Sequence, residues 1–475
     1  MKILYVTSEA APYAASGGLG DVMGALPASI TECDNSIETE VILPFYGTIK
    51  EEYRREFEKV ADIGFKFSWR TTGASIFKHR RNNVTYYFVE NHYYFNRGKL
   101  YSEYDDGERF AFFSMAVVEF MLATGNIPDI LHANDWQSAL SVIYLKTKYS
   151  NCNSLSRIRT LFTIHNIEYQ GKYGLETLGD VFSLDNRYKN IVEYDGCINL
   201  MKGALTVSDY VSTVSPNYAN ELCYDFFAFG LSNVIRSVSH KMTGVINGID
   251  YSYFSPDKGG DIYEPFSAKN LKTGKSKNKK MLQAELGLPL KANVPLFVMI
   301  TRLTNGKGVD LVLHIIEEFL SLDVQFVVLG TGDKEYEHAF SSLESRYPNF
   351  KALIKFDRVL SKKMYAAADV FVMPSKSEPC GLAQMIACSY GTIPVVRAVG
   401  GLYDSIIPYG SENSNGFRFN NYNAHELLFT LKAAAELYKD KEKWQELTKR
   451  AISSDFSWSK SAVKYIELYR NLSNW

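Results

Sequence analysis

Residues 296–310 read LFVMITRLTNGKGVD, and this stretch decides the fold. Leu296 to Ile300 is a short run of purely apolar residues, the length of a strand rather than a helix and suited to burial on both faces. The polar turn Thr301-Arg302-Leu303-Thr304-Asn305-Gly306-Lys307-Gly308 follows, and a helix-length segment begins near Val309. Strand, glycine-bearing loop and helix in that order make one βα unit. Downstream the pattern recurs, with Val324 to Leu329, Val370 to Met373 and Ile393 to Val396 as strands between helix-length segments. Such a series predicts a doubly wound parallel sheet.

Upstream, residues 257–280 interrupt the pattern. Gly, Ser and six lysines (Lys269, Lys272, Lys275, Lys277, Lys279, Lys280) displace apolar residues there, which predicts a hinge region with solvated lysines. Before it lies another series of short β-branched runs: Ile3 to Val6, Val41 to Leu43, Val84 to Val89, Ile130-Leu131, Leu161 to Ile164 and Val211 to Val214. Alternation with amphipathic stretches predicts a second parallel α/β sheet. From Ser457 onward, Ala462, Val463, Tyr465, Ile466, Leu468 and Tyr469 fall at helical spacing, so the chain should end in a helix packed on a neighbouring surface.

A chain of 475 residues exceeds one ordinary core, consistent with two large domains. Lysine and arginine (52) balance aspartate and glutamate (53), so no global field draws the chain to nucleic acid or to an acidic membrane. The six cysteines form no CxxC pair, which argues against a zinc site or disulfide framework and fits a reducing compartment. No stretch approaches the roughly 20 apolar residues of a membrane span. The opening Met1-Lys2-Ile3-Leu4-Tyr5-Val6 reads as a buried strand rather than a signal peptide. The expected compartment is the cytoplasm, without nucleic-acid or membrane partners.

Open parallel sheets bind ligands at the carboxyl ends of their strands, so polar residues there are the candidates. Ala14-Ala15-Ser16-Gly17-Gly18-Leu19-Gly20-Asp21 follows the first strand; its glycines suit either an anion cradle or a structural tight turn. His132-Ala133-Asn134-Asp135-Trp136 and His165-Asn166-Ile167-Glu168 sit at two further strand ends, with His132 read as a structural donor and His165 as ligand-facing or structural. Arg302 and Lys307 could neutralise a diphosphate leaving group, Arg by forked hydrogen bonds and Lys as a point charge; the alternative is a solvated basic loop.

Most informative is Pro374-Ser375-Lys376-Ser377-Glu378-Pro379-Cys380-Gly381-Leu382, after Val370 to Met373. Glu378 could hydrogen-bond sugar hydroxyls and balance positive charge developing at an anomeric carbon, or simply cap the next helix. Gly400-Gly401 could add donors for phosphate or hydroxyl, or form a strand-to-helix turn. The aromatic cluster Tyr93, Tyr94, Phe95, Tyr101 and Tyr104 offers faces for sugar rings, or core. Metal-ligand spacing, a Walker loop and GxGxxG are all missing, so the expected reaction uses no metal and no cofactor.

Taken in order, SEAAPYAASGGLGDV, HANDWQSAL, FTIHNIEYQG, VINGIDYSYFSP, TRLTNGKGVDL, PSKSEPCGLAQM and YGTIPVVRAVGGLYDS span nearly the whole chain and resemble the bacterial glycogen synthase and plant starch synthase family. That resemblance implies the GT-B fold: two Rossmann-like doubly wound domains facing a deep cleft, 1–250 on the acceptor side and 251–456 for the nucleotide sugar. The final helix, 457–475, would pack back on the N-terminal domain. It implies transfer of glucose from ADP-glucose to the non-reducing end of an α-1,4-glucan with retention, UDP-glucose being the other donor to consider.

By motif, the implied catalytic set is Glu378 for the transferring glucose, Arg302 and Lys307 for the diphosphate, and Asp135 and His165 for the sugar and acceptor side. Asp21 and Gly18 would help hold the donor, and Asn247 would close the N-domain part of the cleft. Ser16, Gly17, Tyr94, Asn166, Cys380, Gly381, Leu382, Gly400 and Gly401 complete the implied substrate contacts. Attack on the face from which the diphosphate leaves, with a phosphate oxygen taking the acceptor proton, would need no separate base. Candidate residues in both halves imply that domain closure about residues 257–280 and the chain end gates catalysis.

The loop departs from the family at Ala15, where lysine is usual in K-x-G-G-L, which removes one cationic contact to the donor. Two rival readings follow. A sucrose-synthase-like glycosyltransferase would usually place a second glutamate eight residues after Glu378, where this chain has Ile386. A non-catalytic glucan-binding homologue would explain Ala15, but not the retention of Glu378, Arg302, Lys307 and His165.

Overall fold

The computed structural model describes residues 1–258 and 260–474; Gly259, in the expected hinge, and Trp475, at the end of the expected last helix, lie outside the described residues. The chain divides into two units: unit 1 is Met1–Asn247 together with the segment from Trp458, and unit 2 is Gly248–Ser457.

In unit 1 the strands are β1 (Lys2–Val6), β2 (Glu38–Pro44), β3 (Glu58–Phe67), β4 (Arg70–Arg81), β5 (Val84–Glu90), β6 (Ile130–Asn134), β7 (Arg159–Ile164), β8 (Lys172–Tyr173), β9 (Glu193–Tyr194), β10 (Cys197–Asn199), β11 (Tyr210–Thr213) and β12 (Met242–Gly244). The main sheet runs β12-β11-β7-β6-β1-β2-β5-β4-β3. Its central strands are apolar and buried on both faces, as parallel strands covered by helices must be.

The expectation of a wholly parallel sheet is corrected at one edge, where β4 pairs antiparallel with β5 and β3 with β4. These strands alternate: Ile63, Phe65 and Phe67 are buried while Lys66 and Asp62 face solvent. Charged residues along β3 blunt the exposed edge. A small antiparallel sheet, β8-β10-β9, sits apart.

Unit 2 has β13 (Leu296–Ile300), β14 (Gln325–Leu329), β15 (Phe350–Leu353), β16 (Val370–Met373), β17 (Ile393–Arg397) and β18 (Phe417–Phe419), in the order β15-β14-β13-β16-β17-β18, parallel throughout. Both units are thus doubly wound α/β sheets.

The hinge expectation for residues 257–280 is corrected. The chain passes between units at Asn247–Gly248 and Ser457–Trp458, and Leu271–Glu285 is a helix inside unit 2. Two of its lysines are buried, not solvated. Lys275 Nζ donates to Thr392 Oγ1 (2.7 Å) and to the carbonyls of Tyr390, Ala366 and Tyr365 (3.1, 3.2 and 3.4 Å). Burial without a directly bonded carboxylate pulls its ammonium down to about 7. Lys279 is paired with Asp369 at 2.6 Å and also donates to Val294 and Ala292 carbonyls and the Tyr438 hydroxyl. Carbonyls at strand and helix ends accept these charges, which is why lysine is tolerated under the sheet.

The helix Trp458–Ser473 packs on the helix Gly18–Cys33 of unit 1. Its Tyr469 hydroxyl bonds the Tyr5 hydroxyl and His132 Nδ1, each at 2.8 Å; His132 Nε2 bonds Thr163 Oγ1 at 2.6 Å. His132 is therefore a structural link, and burial keeps its imidazole neutral. Among the described residues no helix is long and apolar enough to cross a membrane.

Candidate active site

In unit 2 the strand order reverses between β13 and β16: β14 and β15 lie on one side, β17 and β18 on the other. Loops at such a switch point leave the sheet in opposite directions and open a crevice at the strand ends. The loop after β13 carries Arg302 and Lys307; the loop after β16 carries Ser375 and Glu378. Lys307 Nζ lies 2.7 Å from Glu378 Oε2, which also accepts from Ser375 Oγ at 2.9 Å. Lys376 N–H donates to the Gly306 carbonyl at 3.0 Å. Gly308 lets the loops close: at φ 72°, a Cβ there would fall 2.1 Å from the Pro374 carbonyl oxygen. Arg302, in the same loop as Lys307, has an exposed side chain that makes no hydrogen bond or ion pair among the described residues. A carboxylate steadied by a lysine and a hydroxyl, with an open guanidinium in the lysine's loop, can hold an anionic leaving group and the sugar it leaves.

Behind Glu378 stand Gly400 and Gly401. The Gly401 N–H donates to the Glu378 and Pro379 carbonyls at 3.1 and 3.2 Å. A Cβ on Gly400 would sit 1.9 Å from the Glu378 carbonyl oxygen, and one on Gly401 2.1 Å from that of Cys380. Both glycines are buried and let two loops touch, which fits the strand-to-helix turn; the Gly401 N–H is taken within the protein. Cys380 is buried, Gly381 is left-handed at φ 70°, and Leu382 precedes the helix Ala383–Ser389. Gln384 clamps this turn, donating to the Cys380 and Gly381 carbonyls and to Ser405 Oγ. Glu378 precedes the helix without capping it.

Unit 1 has its own switch point, between β1 and β6. Asp135 follows β6, at φ 56° and ψ 177°, close to a region that only glycine occupies comfortably. Its carboxylate accepts the N–H of His165 at 2.8 Å and of Asn166 at 3.4 Å, tying the loop after β7 to the end of β6. Burial pushes the Asp135 carboxyl up to about 7. Asn134 Nδ2 donates to the Val6 and His132 carbonyls, which turns Oδ1 toward His165 Nε2 at 2.9 Å and makes that nitrogen the protonated one. Burial pulls the His165 imidazolium down to about 3, so the ring is neutral. Asn247 is buried with Oδ1 unpaired among the described residues.

The glycine loop differs from expectation. Ser16 N–H (2.6 Å), Ser16 Oγ (2.8 Å) and Gly17 N–H (3.2 Å) all donate to the Glu9 carboxylate, which also takes the Tyr101 hydroxyl at 2.7 Å. The amides of Ser16 and Gly17 thus hold an internal anion instead of standing open to one. Gly18 and Asp21 lie in the first turn of the helix Gly18–Cys33. Tyr94 is also corrected: it is buried, its ring 4.6 Å from Phe112 and its hydroxyl 2.6 Å from Glu108, so it is core rather than a sugar platform. Among the described residues no cluster of three or more His, Cys, Asp or Glu side chains could hold a metal ion.

Comparison with known proteins now adds to this geometry. Residues 2–237 match the starch synthase catalytic domain, and residues 285–453 match the glycosyl transferases group 1. A glycogen synthase of Ligilactobacillus salivarius is 42% identical over 477 residues, covering 99% of this chain and 100% of the relative. The chain belongs to the glycogen and starch synthase family. A Streptococcus agalactiae glycogen synthase is likewise 42% identical over 478 residues, covering 99% of this chain and 100% of the relative. The catalytic domain of starch synthase IV from Arabidopsis thaliana, bound to ADP and acarbose, superposes with a TM-score of 0.90 at 34% identity, covering 100% and 99% of the two chains. Sucrose-phosphate synthase from Thermosynechococcus elongatus gives 0.60 at 16% identity, covering 99% of this chain and 98% of that one, and supports the shared GT-B fold class alone.

Within this member of the glycogen and starch synthase family, sequence reading missed the residues that hold the others in place. Glu9, in the loop after β1, could have been found as a carboxylate just beyond a strand end. Arg397, which donates to the Lys376 and Ser375 carbonyls at 2.6 and 3.4 Å, is a strand residue with no local signal.

Proposed function

We propose that this glycosyltransferase moves glucose from ADP-glucose to the non-reducing end of an α-1,4-glucan, with retention of configuration, in glycogen synthesis. The observation that carries the reading is the pairing of Lys307 with the Ser375-bonded Glu378 at the switch point of unit 2, with Arg302 exposed in the same loop as Lys307. Unit 2 holds the nucleotide sugar, with Arg302 and Lys307 on the diphosphate and Glu378 on the glucose. Unit 1 supplies Asp135, His165, Asn166 and Asn247 to the sugar and acceptor. The bond from the anomeric carbon to the diphosphate oxygen breaks, and the acceptor hydroxyl oxygen bonds to that carbon on the same face. The hydroxyl proton passes to the departing diphosphate oxygen. Cations at the diphosphate stabilise the charge that develops there. With its imidazolium pulled down to about 3, His165 is a weak base, which suits substrate positioning rather than proton abstraction.

ADP and acarbose are bound by the Arabidopsis relative, which supports the choice of donor and acceptor class. The test is incubation of purified protein with glycogen and ¹⁴C-glucose donors. Label in polymer from ADP-glucose, released by an α-1,4-specific amylase, is the expected result. Label from UDP-glucose alone would reassign the donor. Glycogen affinity without label from either donor would leave a glucan-binding homologue.

A further inference from the structure

The strand-end side of unit 1 carries four exposed aromatic side chains that the transfer reaction does not use: Tyr169 (57% exposed), Tyr224 (66%), Phe226 (60%) and Phe229 (46%). Tyr169 belongs to the loop after β7, and its N–H bonds the Asn166 carbonyl at 3.4 Å. The other three surround the one-turn helix Asp225–Ala228, which follows β11 and the helix Pro216–Glu221. The two loops are joined, since Gln170 Nε2 donates to the Phe229 carbonyl at 3.1 Å and the Ile167 N–H to the Tyr218 hydroxyl at 3.4 Å. Anchors also hold the second loop at each end: Arg236 donates to the Cys223 carbonyl (2.6 Å) and the Tyr194 hydroxyl to that of Gly230 (2.9 Å). The two loops that carry the aromatics are therefore tied together, and Tyr169 is bonded to Asn166.

Phe229 adopts left-handed backbone geometry, φ 48° and ψ 41°. Every other described non-glycine residue at positive φ is Ser, Asn or Asp: Ser68, Asn82, Asn83, Ser102, Asp135, Ser183, Asp195, Asp261 and Asn413. Asn and Asp tolerate that region through short side chains that bond locally, whereas a phenylalanine is strained there. Burial does not offset the strain, because nearly half of the residue faces solvent. The Gln170 bond to the Phe229 carbonyl holds this geometry in place, but it does not account for an exposed ring there, and strained exposed residues cluster at ligand contacts.

Flat aromatic faces pack on the apolar faces of pyranose rings, while the tyrosine hydroxyls can bond ring substituents. We propose that Tyr169, Tyr224, Phe226 and Phe229 bind α-glucan segments beyond the residue being elongated. This rests on the reading that unit 1 handles the acceptor: a chain whose end meets Asp135 and Asn166 continues over the adjoining aromatic loops. The surface serves long acceptors and is dispensable for short ones.

The test compares Phe229→Gly and the pair Tyr169→Ala/Tyr224→Ala with the wild type, using glycogen and maltotriose as acceptors. Loss of each stacking contact should raise the KM for glycogen about fivefold and lower the ratio of kcat/KM for glycogen to that for maltotriose. Glycogen retardation in affinity electrophoresis should fall in parallel. Phe229→Gly removes the backbone strain, so its Tm should not drop; a structural role for the ring would lower it. An unchanged glycogen-to-maltotriose ratio and unchanged retardation, with an active wild type, overturn this inference alone. A wild type that neither transfers to nor binds glucan overturns the acceptor reading with it.

Discussion

Replacing Asp135 by asparagine should stabilise the protein at pH 8 while cutting its activity. The Asp135 carboxyl is raised from 3.8 to about 7, first by burial. Below pH 4 the group is protonated in both folded and unfolded chains and contributes nothing to pH dependence. Between pH 4 and 7 the unfolded chain has lost its proton while the native one keeps it, so stability falls as pH rises and the full penalty is present above pH 7. About three pKa units at 1.36 kcal/mol each set a ceiling of ~4 kcal/mol. Partial exposure of the residue and local relaxation reduce the expected gain to about 1–2 kcal/mol.

Asparagine matches aspartate in shape and keeps an oxygen for the His165 and Asn166 N–H groups, so the backbone strain is unchanged and the loops should stay tied. Calorimetry at pH 5 and pH 8 provides the assay. The variant should gain ~2–4 °C in Tm at pH 8 and much less at pH 5, while kcat falls at least tenfold. A variant less stable than wild type at pH 8, or a gain that does not depend on pH, would falsify the claim that burial of this charge is a cost retained for function.

Ala15→Lys, at an exposed position of the glycine loop, should restore a cationic donor contact and raise kcat/KM for ADP-glucose several-fold in initial-rate kinetics; an unchanged value removes Ala15 from the account of donor binding. Lys307→Ala should lower kcat by about 10²- to 10³-fold, the scale for removing a preorganised charge contact, and single-turnover rates should fall equally. Gly400→Ala would push a Cβ against the Glu378 carbonyl, 1.9 Å away, so kcat should drop at least tenfold while circular dichroism stays native. Lys275, pulled down to about 7, takes up a proton more readily when unfolded. Wild-type stability should therefore rise between pH 7 and pH 10, and Lys275→Met should flatten that rise in urea titrations.

Most parallel strands were legible because each is a short apolar run; β12, β15 and β18 were missed because they are only three or four residues long, and β3 and β4 because they alternate and carry charge on the open face. Arg302, Lys307 and Glu378 could be nominated from their strand-end positions, since sheet topology alone brings adjacent strand ends together. Their supports could not. Gly401 bonds to Glu378 across 23 residues and Lys279 pairs with Asp369 across 90, and no local pattern encodes such partners. Lys275 and Lys279 misled for the same reason: charge in a sequence reads as surface until the carbonyls that receive it are known. Tyr94 was an aromatic beside other aromatics, and only packing distinguishes Phe112-facing core from the exposed Tyr93 next to it.

The helix Trp458–Ser473 is made after the whole of unit 2, yet it packs on the sheet side of unit 1 through Tyr5 and the helix Gly18–Cys33. Tyr469 completes a hydrogen-bonded line to Tyr5 and His132, so unit 1 lacks a layer of its core until residues 458–473 have been made. Unit 2, wholly contained between residues 248 and 457, emerges complete and has no such wait. Order along the chain and order of completion are therefore reversed: a truncation near residue 457 would leave unit 2 whole and strip a packing layer from the portion of the protein made hundreds of residues earlier.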